Sequence, residues 1–352
     1  MHFIGSKHSI WPWIRDNIDL KYSTVVDLFG GTGVVSQGFR LLDKRVYYND
    51  FLIHLQIIAS GLLLSDATHC ISDETVTNVL NISNVKLNHH YIKDNFSDIY
   101  FFSEEAEWID QVYYNIQSSS FSQIQKNILF FALVQAILKK RPFHTFHGSF
   151  LNLRLKERQE KQTWDLTMNQ TFRDTIHSVN MYLQNLPTFP YSVSISGYMA
   201  SQAKPDLFTA ESIDLLYLDP PFISDKKKRT LKFANYIKNY SVLELLANYD
   251  SICSLFDDTT KTIIKNKYPA SQEMDLWIDQ NQKNWLRSFE TIVKNFQDSA
   301  IIVSYRADSL ITCVQIKGIL ESYKKVNVKE TPHIYEIPGK KSKFNDLLFI
   351  AK

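Results

Sequence analysis

The segment from Tyr22 to Asp50 constrains the fold of this chain more than any other part of the sequence. It begins with a β-branched stretch, YSTVVDLF, which ends at Phe29 and is typical of a buried strand. A glycine turn, GGTG, follows at Gly30–Gly33, and apolar residues at helical spacing come next. RVYYND at Arg45–Asp50 then predicts a second strand. A strand, a helix and a strand in this order form a βαβ unit, which implies a parallel sheet covered by helices.

Further strand-like stretches near the C-terminal end indicate that both ends of the chain build one sheet. These stretches are Tyr191–Ile195, Ile213–Leu218, Ala300–Ser304 and Asp346–Ile350. The region between the two parts is rich in Asn, Ser, His and Gln, and it contains the helical patterns Ala106–Ile116 and Gln123–Lys139. We therefore predict an α/β fold in which residues 1–65 and 191–352 form a Rossmann-like sheet, interrupted by a mostly helical insertion at 66–190.

Composition excludes several classes of protein. The chain is 44% hydrophobic with a formal net charge of only +2, so a sizeable core is possible and any surface for nucleic acid must be local. The three cysteines, at positions 70, 253 and 313, form no closely spaced pair, which argues against a disulfide framework. His144 and His147 have no acid or cysteine at metal spacing beside them, so we expect no metal site.

No targeting or membrane segment is predicted. The N-terminal stretch MHFIGSKHSIWPW lacks the apolar core of a signal peptide. The longest apolar runs, Ile57–Leu64 and Ile128–Leu138, are too short to span a bilayer. We expect a cytoplasmic protein that does not act at a membrane.

The residues around the glycine turn favour a nucleoside ligand that carries a positive charge. The spacing GGxG matches neither a dinucleotide fingerprint nor a phosphate-binding P-loop. Asp27 would repel a pyrophosphate but could hold an ammonium group, while Asp50, 20 residues after Gly30, could bind ribose hydroxyls. S-adenosylmethionine combines these groups. We expect it to contact Asp27, Asp50 and the following cofactor-binding residues: Phe29, Gly30, Gly31, Thr32, Gly33, Phe51 and Asp219. An ordinary tight turn is the alternative for the turn alone.

The sequence LDPPF at Leu218–Phe222 ends a predicted buried strand with an acid, two prolines and an aromatic ring. Proline has no N–H, so Pro220 and Pro221 end the strand and leave their carbonyls as acceptors without a neighbouring donor. Asp219 and the Pro220 carbonyl could together bind both hydrogens of an exocyclic amine, with Phe222 stacked on the base that carries it. Such a base must first leave the duplex.

DLFGGTG followed later by DPPF resembles the D12 class of adenine-N6 DNA methyltransferases, which includes the Dam-type enzymes. The resemblance covers both ends of the chain and implies the methyltransferase fold with an inserted target-recognition region. Gly5, Ser6 and Lys7 match the opening motif of the family, which implies a position beside the cofactor and the target pocket. NYIKNYSVLELL after DPPF, SYR at Ser304–Arg306 and the block that begins at Lys139 resemble further family motifs.

Two positions depart from the family pattern. Phe222 stands where the family usually has tyrosine, so stacking is retained and the hydroxyl is lost. The stretch SGYMA at Ser196–Ala200 has no acid where the family commonly has one near the cofactor adenine.

Basic residues supply the predicted contacts with double-stranded DNA. KKKR follows the DPPF stretch closely, and we expect its side chains to contact phosphates in a salt-dependent manner. The full set of predicted DNA contacts is Lys226, Lys227, Lys228, Arg229, Arg141 and Arg154.

Activities other than adenine-N6 methylation differ in how well they agree with this sequence. Cytosine-C5 methylation is excluded, because it needs a cysteine nucleophile in a Pro-Cys step and no cysteine here follows a proline. Cytosine-N4 methylation uses similar amine chemistry and is the nearest alternative. RNA or protein-amide methylation, or a catalytically inactive DNA-binding relative, would also fit. The resemblance further implies a prokaryotic or phage source and a cognate restriction endonuclease as a partner.

Overall fold

The computed structural model describes most of the 352 residues. The described ranges are 7–82, 87–141, 144–146, 166–209, 212–223, 236–256, 268–278, 282–337 and 340–352. They belong to two compact units. The sheet unit comprises the described parts of Gly5–Gln56, Phe189–Ile237 and Asn266–Lys352, and the helical unit those of Ile57–Thr188 and Lys238–Lys265.

The sheet unit contains seven strands in the order β3-β2-β1-β4-β5-β7-β6. The strands are β1 (Thr24–Asp27), β2 (Arg45–Asn49), β3 (Ser194–Ser196), β4 (Leu215–Leu218), β5 (Ala300–Arg306), β6 (Val326–Ile337) and β7 (Lys340–Ala351). Strands β1 to β5 pair in parallel, whereas β7 is antiparallel to both β5 and β6.

Helices follow the strands in the sheet unit and make up most of the helical unit. Those of the sheet unit are α1 (Trp11–Asn17), α2 (Val34–Arg40), α11 (Pro269–Trp277), α12 (Lys283–Asn295) and α13 (Cys313–Glu321). Those of the helical unit are α4 (Asp73–Leu80), α5 (Tyr91–Phe96), α6 (Ser103–Ser118), α7 (Gln123–Lys139), α8 (Met168–Gln184) and α10 (Ile252–Leu255). Two of the boundaries between the units fall within α3 (Ile53–Leu63) and α9 (Tyr236–Ala247). No helix of the described ranges is long and apolar enough to cross a membrane.

The central strands are buried on both faces, as their composition predicts. The side chains of Val25 and Val26 in β1 and of all four residues of β4 are fully buried, with 0% exposure. Strands whose residues are mostly apolar and buried are typical of a parallel sheet that carries helices on both sides. Since β2 lies on one side of β1 and β4 on the other, the carboxyl end of β1 is a topological switch point, where ligands bind in open α/β sheets.

The α/β sheet is confirmed, and one strand was not predicted. Each of the six predicted strand stretches overlaps an observed strand. The sequence pattern did not predict β6, because VNVKETPHIYEI is polar and contains Pro332. Among the strands that the structure describes, it lies at the edge of the sheet and pairs with β7 alone, and an edge position is where a strand tolerates proline.

Residues 238–265 were predicted to belong with the sheet, but their described part lies in the helical unit. Long-range contacts decide this assignment. The Asn239 carbonyl accepts a hydrogen bond from the Phe146 N–H at 2.8 Å, and the Tyr249 hydroxyl donates to Asp110 at 2.7 Å. The Phe256 ring lies edge-to-face with Phe96. Contacts across more than 90 residues of sequence leave no local signal in the pattern.

Asn49 at the end of β2 joins three chain segments at the carboxyl edge of the sheet. Its side chain is 1% exposed. The amide nitrogen donates to the carbonyls of Leu28 and Tyr198 at 3.1 and 3.0 Å. The amide oxygen accepts from the Ser196 hydroxyl at 3.0 Å and from the Tyr198 N–H at 2.8 Å. All four hydrogen bonds of this amide are therefore made inside the protein.

We expect Asn49→Ala to lower the free energy of unfolding by about 2–3 kcal/mol, because buried donors and acceptors lose their partners. Urea unfolding followed by circular dichroism measures this change. Asn185→Ala is a matched control, since Asn185 is exposed and makes one local bond to Met181, and its cost should stay within about 0.5 kcal/mol. Equal costs for the two variants would contradict the role assigned to Asn49.

Candidate active site

The glycine turn between β1 and α2 exposes its backbone at the carboxyl edge of the sheet. Gly31 and Gly33 have φ angles of 53° and 76°, which residues with a Cβ atom rarely adopt. A Cβ atom added at Gly31 would have no neighbour within 4 Å. The Gly33 N–H donates to the Gly30 carbonyl at 2.9 Å, which closes the turn just before α2 begins. A ligand can therefore approach the main chain at Gly31.

Tyr48 of β2 supports this turn from within the protein. A Cβ atom at Gly30 would overlap the Tyr48 ring, so only glycine fits there. The Tyr48 hydroxyl donates to the Gly31 carbonyl at 2.6 Å, and the side chain is 0% exposed. Sequence reasoning did not identify Tyr48, because a tyrosine in a buried strand carries no signal that distinguishes a supporting role from packing.

Asp27 is a buried carboxyl group at the end of β1, with 1% exposure. Its Oδ2 accepts a hydrogen bond from the Ser36 hydroxyl at 2.7 Å. Its Oδ1 has no hydrogen-bond partner among the residues that the structure describes. Burial raises the pKa of Asp27 to about 7, the Ser36 hydrogen bond opposes this shift, and the charges of Asp219 and Asp50 add to it. A carboxyl group in this state has one oxygen available to a donor that carries positive charge.

Asp50 follows β2 directly and holds the glycine turn in place. Its Oδ2 accepts from the Gly31 N–H at 3.0 Å, and its Oδ1 accepts from the Leu52 N–H at 3.0 Å. The predicted cofactor residues Asp27, Asp50 and Phe29–Gly33 thus lie together at one edge of the sheet unit. The Phe29 ring lies edge-to-face with Trp277, with the ring centroids 5.0 Å apart.

The stretch Asp219–Phe222 leaves the sheet beside the glycine turn. Strand β4 pairs with β1 in parallel, with Tyr217 opposite Asp27, so both strands end at the same edge. The Pro221 carbonyl accepts a hydrogen bond from the indole nitrogen of Trp285 at 3.1 Å. The expectation that both proline carbonyls lack a donor is therefore wrong for Pro221. The Pro220 carbonyl accepts no hydrogen bond from the part of the chain that the structure describes.

The Phe222 ring lies against the guanidinium group of Arg306. The Cζ atom of Arg306 is 4.4 Å from the ring centroid, within the range of a cation–π contact. Asp308 orients the guanidinium group, which donates to it at 2.9 and 2.6 Å. Arg306 is the last residue of β5 and the arginine of the SYR motif. The motif therefore supports the ring of the DPPF stretch.

Lys7 places its ammonium group on the Asp219 carboxylate. The Nζ atom of Lys7 lies 2.5 Å from Oδ2, and the two side chains are 14% and 23% exposed. Burial raises the pKa of Asp219, the Lys7 charge and hydrogen bond lower it, and the Asp346 charge raises it. The carboxylate at the centre of the site is thus held by a residue near the start of the chain.

The prediction that Arg141 contacts DNA is wrong, because its side chain is 1% exposed. Its guanidinium group donates to the Thr145 carbonyl at 3.1 Å and to the Tyr100 carbonyl at 3.0 Å. It also lies over the rings of Tyr100 and Phe146. A guanidinium group can satisfy main-chain carbonyls inside a protein, and the sequence does not distinguish that use from a phosphate contact.

Gly5, Ser6, Lys226–Arg229 and Arg154 lie outside the described residues. Their roles remain predictions.

A parallel sheet with a glycine turn after β1 and a DPPF stretch after the adjacent β4 defines a Rossmann-like methyltransferase. The model of the family "D12 class N6 adenine-specific DNA methyltransferase" matches residues 3–300, and the chain belongs to this family. It is therefore an adenine-specific DNA methyltransferase.

Curated relatives cover nearly the whole chain at low identity. The Type II methyltransferase M2.HphI of Haemophilus parahaemolyticus is 24% identical, with 100% of this chain and 97% of the relative aligned. M.FokI of Planomicrobium okeanokoites is 22% identical over 97% of this chain and 50% of its own length. M.NlaIII of Neisseria lactamica is 20% identical over 95% of this chain and 91% of its own length.

We call the stretch Asp219–Phe222 the corner after β4. We expect Trp285→Phe to slow methyl transfer by about fivefold, because the Pro221 carbonyl loses its hydrogen bond and the corner becomes less rigid. Single-turnover assays with labelled methyl donor measure the rate. Trp108→Phe is the matched control, since Trp108 donates a similar bond to Asn169 within the helical unit. An unchanged rate for Trp285→Phe would mean that the corner is rigid without this bond.

Proposed function

We propose that this chain transfers the methyl group of S-adenosylmethionine to N6 of an adenine that is flipped out of DNA, with Asp219 at the reacting amine. One observation carries the proposal: β1 ends at Asp27, the adjacent parallel strand β4 is followed directly by Asp219, and both lie at the edge where the open glycine turn leaves the sheet. One carboxyl group is available to a cationic cofactor and the other to an amine.

The residues around the turn fit S-adenosylmethionine. Oδ1 of Asp27 lacks a partner among the described residues and would accept a hydrogen bond from the ammonium group. The space beside Gly31 admits a ligand close to the main chain. Asp50 would bind the ribose, and Phe29 and Phe51 offer rings for the adenine. When bound, this cofactor supplies an electrophilic methyl group on a sulfonium.

Asp219 and the Pro220 carbonyl act on the target amine in this proposal. The two acceptors would take the two N–H donors of adenine N6 and draw the nitrogen lone pair out of conjugation with the ring. Phe222 would stack on the base through the face that Arg306 does not cover. The Asp219 carboxylate could also hold the proton that leaves the nitrogen. Because the transfer is direct, positioning and polarisation supply most of the catalysis.

The contacts with DNA remain proposals. We assign target recognition to the helical unit, and phosphate contacts to Lys226–Arg229 and Arg154. A cognate restriction endonuclease is a proposed partner, from the similarity to Type II methyltransferases.

We expect Asp219→Asn and Asp219→Ala to lower the rate of methyl transfer at least about 100-fold, because the charged acceptor at the amine is removed. Both variants should still bind S-adenosylmethionine in isothermal titration calorimetry. Digestion of the wild-type product to nucleosides should yield N6-methyladenine by mass spectrometry. Near-normal rates for Asp219→Ala, or N4-methylcytosine as the product, would overturn the assignment.

The affinity for S-adenosylmethionine should rise by about fivefold between pH 6 and pH 7.5, because binding an ammonium group requires the Asp27 carboxylate to be ionised. The pKa of Asp27 of about 7 lies in this window. Above about pH 8 the cofactor's own amino group loses its proton, and the affinity should fall again. Calorimetric titrations over this pH range measure the dependence.

Asp27→Asn provides the matched test, since it keeps the shape of the side chain and removes its charge. This variant should bind the cofactor more weakly at pH 7.5 and lose the rise below that pH. Without cofactor, it should also become more stable than wild type as pH increases. A carboxyl group whose pKa is raised on folding contributes stability below its unfolded pKa of 3.8, and this contribution is lost as pH rises through 7.

A further inference from the structure

A chain of hydrogen bonds connects the C-terminal strands to the N-terminal turn. The Ser9 hydroxyl lies 3.1 Å from Nε2 of His333 in β6. The other ring nitrogen of His333, Nδ1, lies 2.7 Å from Oδ2 of Asp346 in β7. Asp346 is 1% exposed. The imidazole is therefore oriented from both sides, and the sequence separation of Ser9 and His333 is 324 residues.

Ser9 and Lys7 belong to the same short turn at the start of α1. The Lys7 carbonyl accepts hydrogen bonds from the N–H groups of Ile10 at 3.1 Å and Trp11 at 2.8 Å. A bond that holds the Ser9 side chain therefore also restrains the main chain of Lys7. From this main chain the Lys7 side chain reaches Asp219, where its Nζ contacts the carboxylate.

Asp346 of β7 also lies next to the residue that contacts the Phe222 ring. It pairs in register with Arg306 across the β5–β7 ladder, and the Arg306 guanidinium lies against the Phe222 ring. Asp346 is thus connected to the site by two series of contacts. One series runs through His333 and Ser9 to Lys7, and the other runs through Arg306 to Phe222.

We propose that Ser9, His333 and Asp346 are positioning residues for adenine methylation, which act by placing the Lys7 ammonium group on the Asp219 carboxylate. The inference rests on the proposed function, because it assigns catalysis to Asp219. A lysine side chain is flexible and binds as a point charge, so its location depends on where its main chain is held. The turn of residues 7–10 is hydrogen-bonded to the first turn of α1, and the Ser9–His333 bond ties it in addition to β6.

The electrostatics of Asp219 give this arrangement a measurable consequence. Asp219 is near the negative charges of Asp27 and Asp346 and the positive charge of Lys7. Burial raises the pKa of Asp219, and the Lys7 contact lowers it. Displacing Lys7 should therefore raise this pKa, so that a larger share of the enzyme is protonated and inactive at mildly acid pH.

Ser9→Ala tests the inference, with Ser9→Thr as the variant that keeps the hydroxyl. We expect Ser9→Ala and His333→Leu to lower kcat by about fivefold, the effect of one lost hydrogen bond. The acid limb of the pH–rate profile should move to higher pH, while KM for S-adenosylmethionine changes less than twofold. Ser9→Thr should retain the wild-type rate and profile. Lys329→Ala, an exposed change on β6, is the control and should have no effect.

A double-mutant cycle with Lys7→Ala separates positioning from general destabilisation. Lys7→Ala alone should shift the profile further than Ser9→Ala, and Ser9→Ala should add nothing in the Lys7→Ala background. Additive losses, an unshifted profile, or failure of Ser9→Thr to restore the rate would overturn the inference. If wild type methylates adenine and Asp219→Asn does not, while Ser9→Ala equals wild type, only the positioning inference fails. If wild type does not methylate adenine, the proposed function fails.

Discussion

The parallel pairing of β1 with β4 determines where every part of the active site lies. These two strands are far apart in sequence, but their register sets Tyr217 opposite Asp27. The glycine turn and the Asp219–Phe222 stretch therefore leave the sheet side by side. The buried apolar side chains of Val25, Val26 and β4 stabilise this pairing, and the polar groups of the site lie at the carboxyl edge.

Two carboxyl groups at one partly buried edge repel each other and lose hydration when they are ionised. The two groups differ in how their charge is stabilised. Burial raises the pKa of both groups. Asp27 has a pKa of about 7 and a hydroxyl donor in Ser36, so it can take up a proton until a cation arrives. Asp219 is instead paired with the ammonium group of Lys7. The difference suits one group to a cationic ligand and the other to a neutral amine.

The corner after β4 is held by side chains that lie outside the DPPF motif. Trp285 donates to the Pro221 carbonyl, and Arg306 lies against the Phe222 ring. The Ser9 hydroxyl is linked to His333 and through it to Asp346. Each of these contacts fixes a group of the site before substrate arrives, and prior fixing of this kind is what catalysis by positioning requires.

The sequence by itself determined the βαβ unit, the positions of six strands, the helix Gln123–Lys139 and the resemblance to the family, because each depends on local periodicity or contiguous motifs. Only the tertiary structure decided which distant side chains support those motifs. Trp285 and His333 lack any local signal, and Arg141 is buried although its neighbours resemble a DNA-contacting block. The reason is physical: burial and hydrogen-bond partners are set by residues far away in the chain, and a one-dimensional pattern does not contain them.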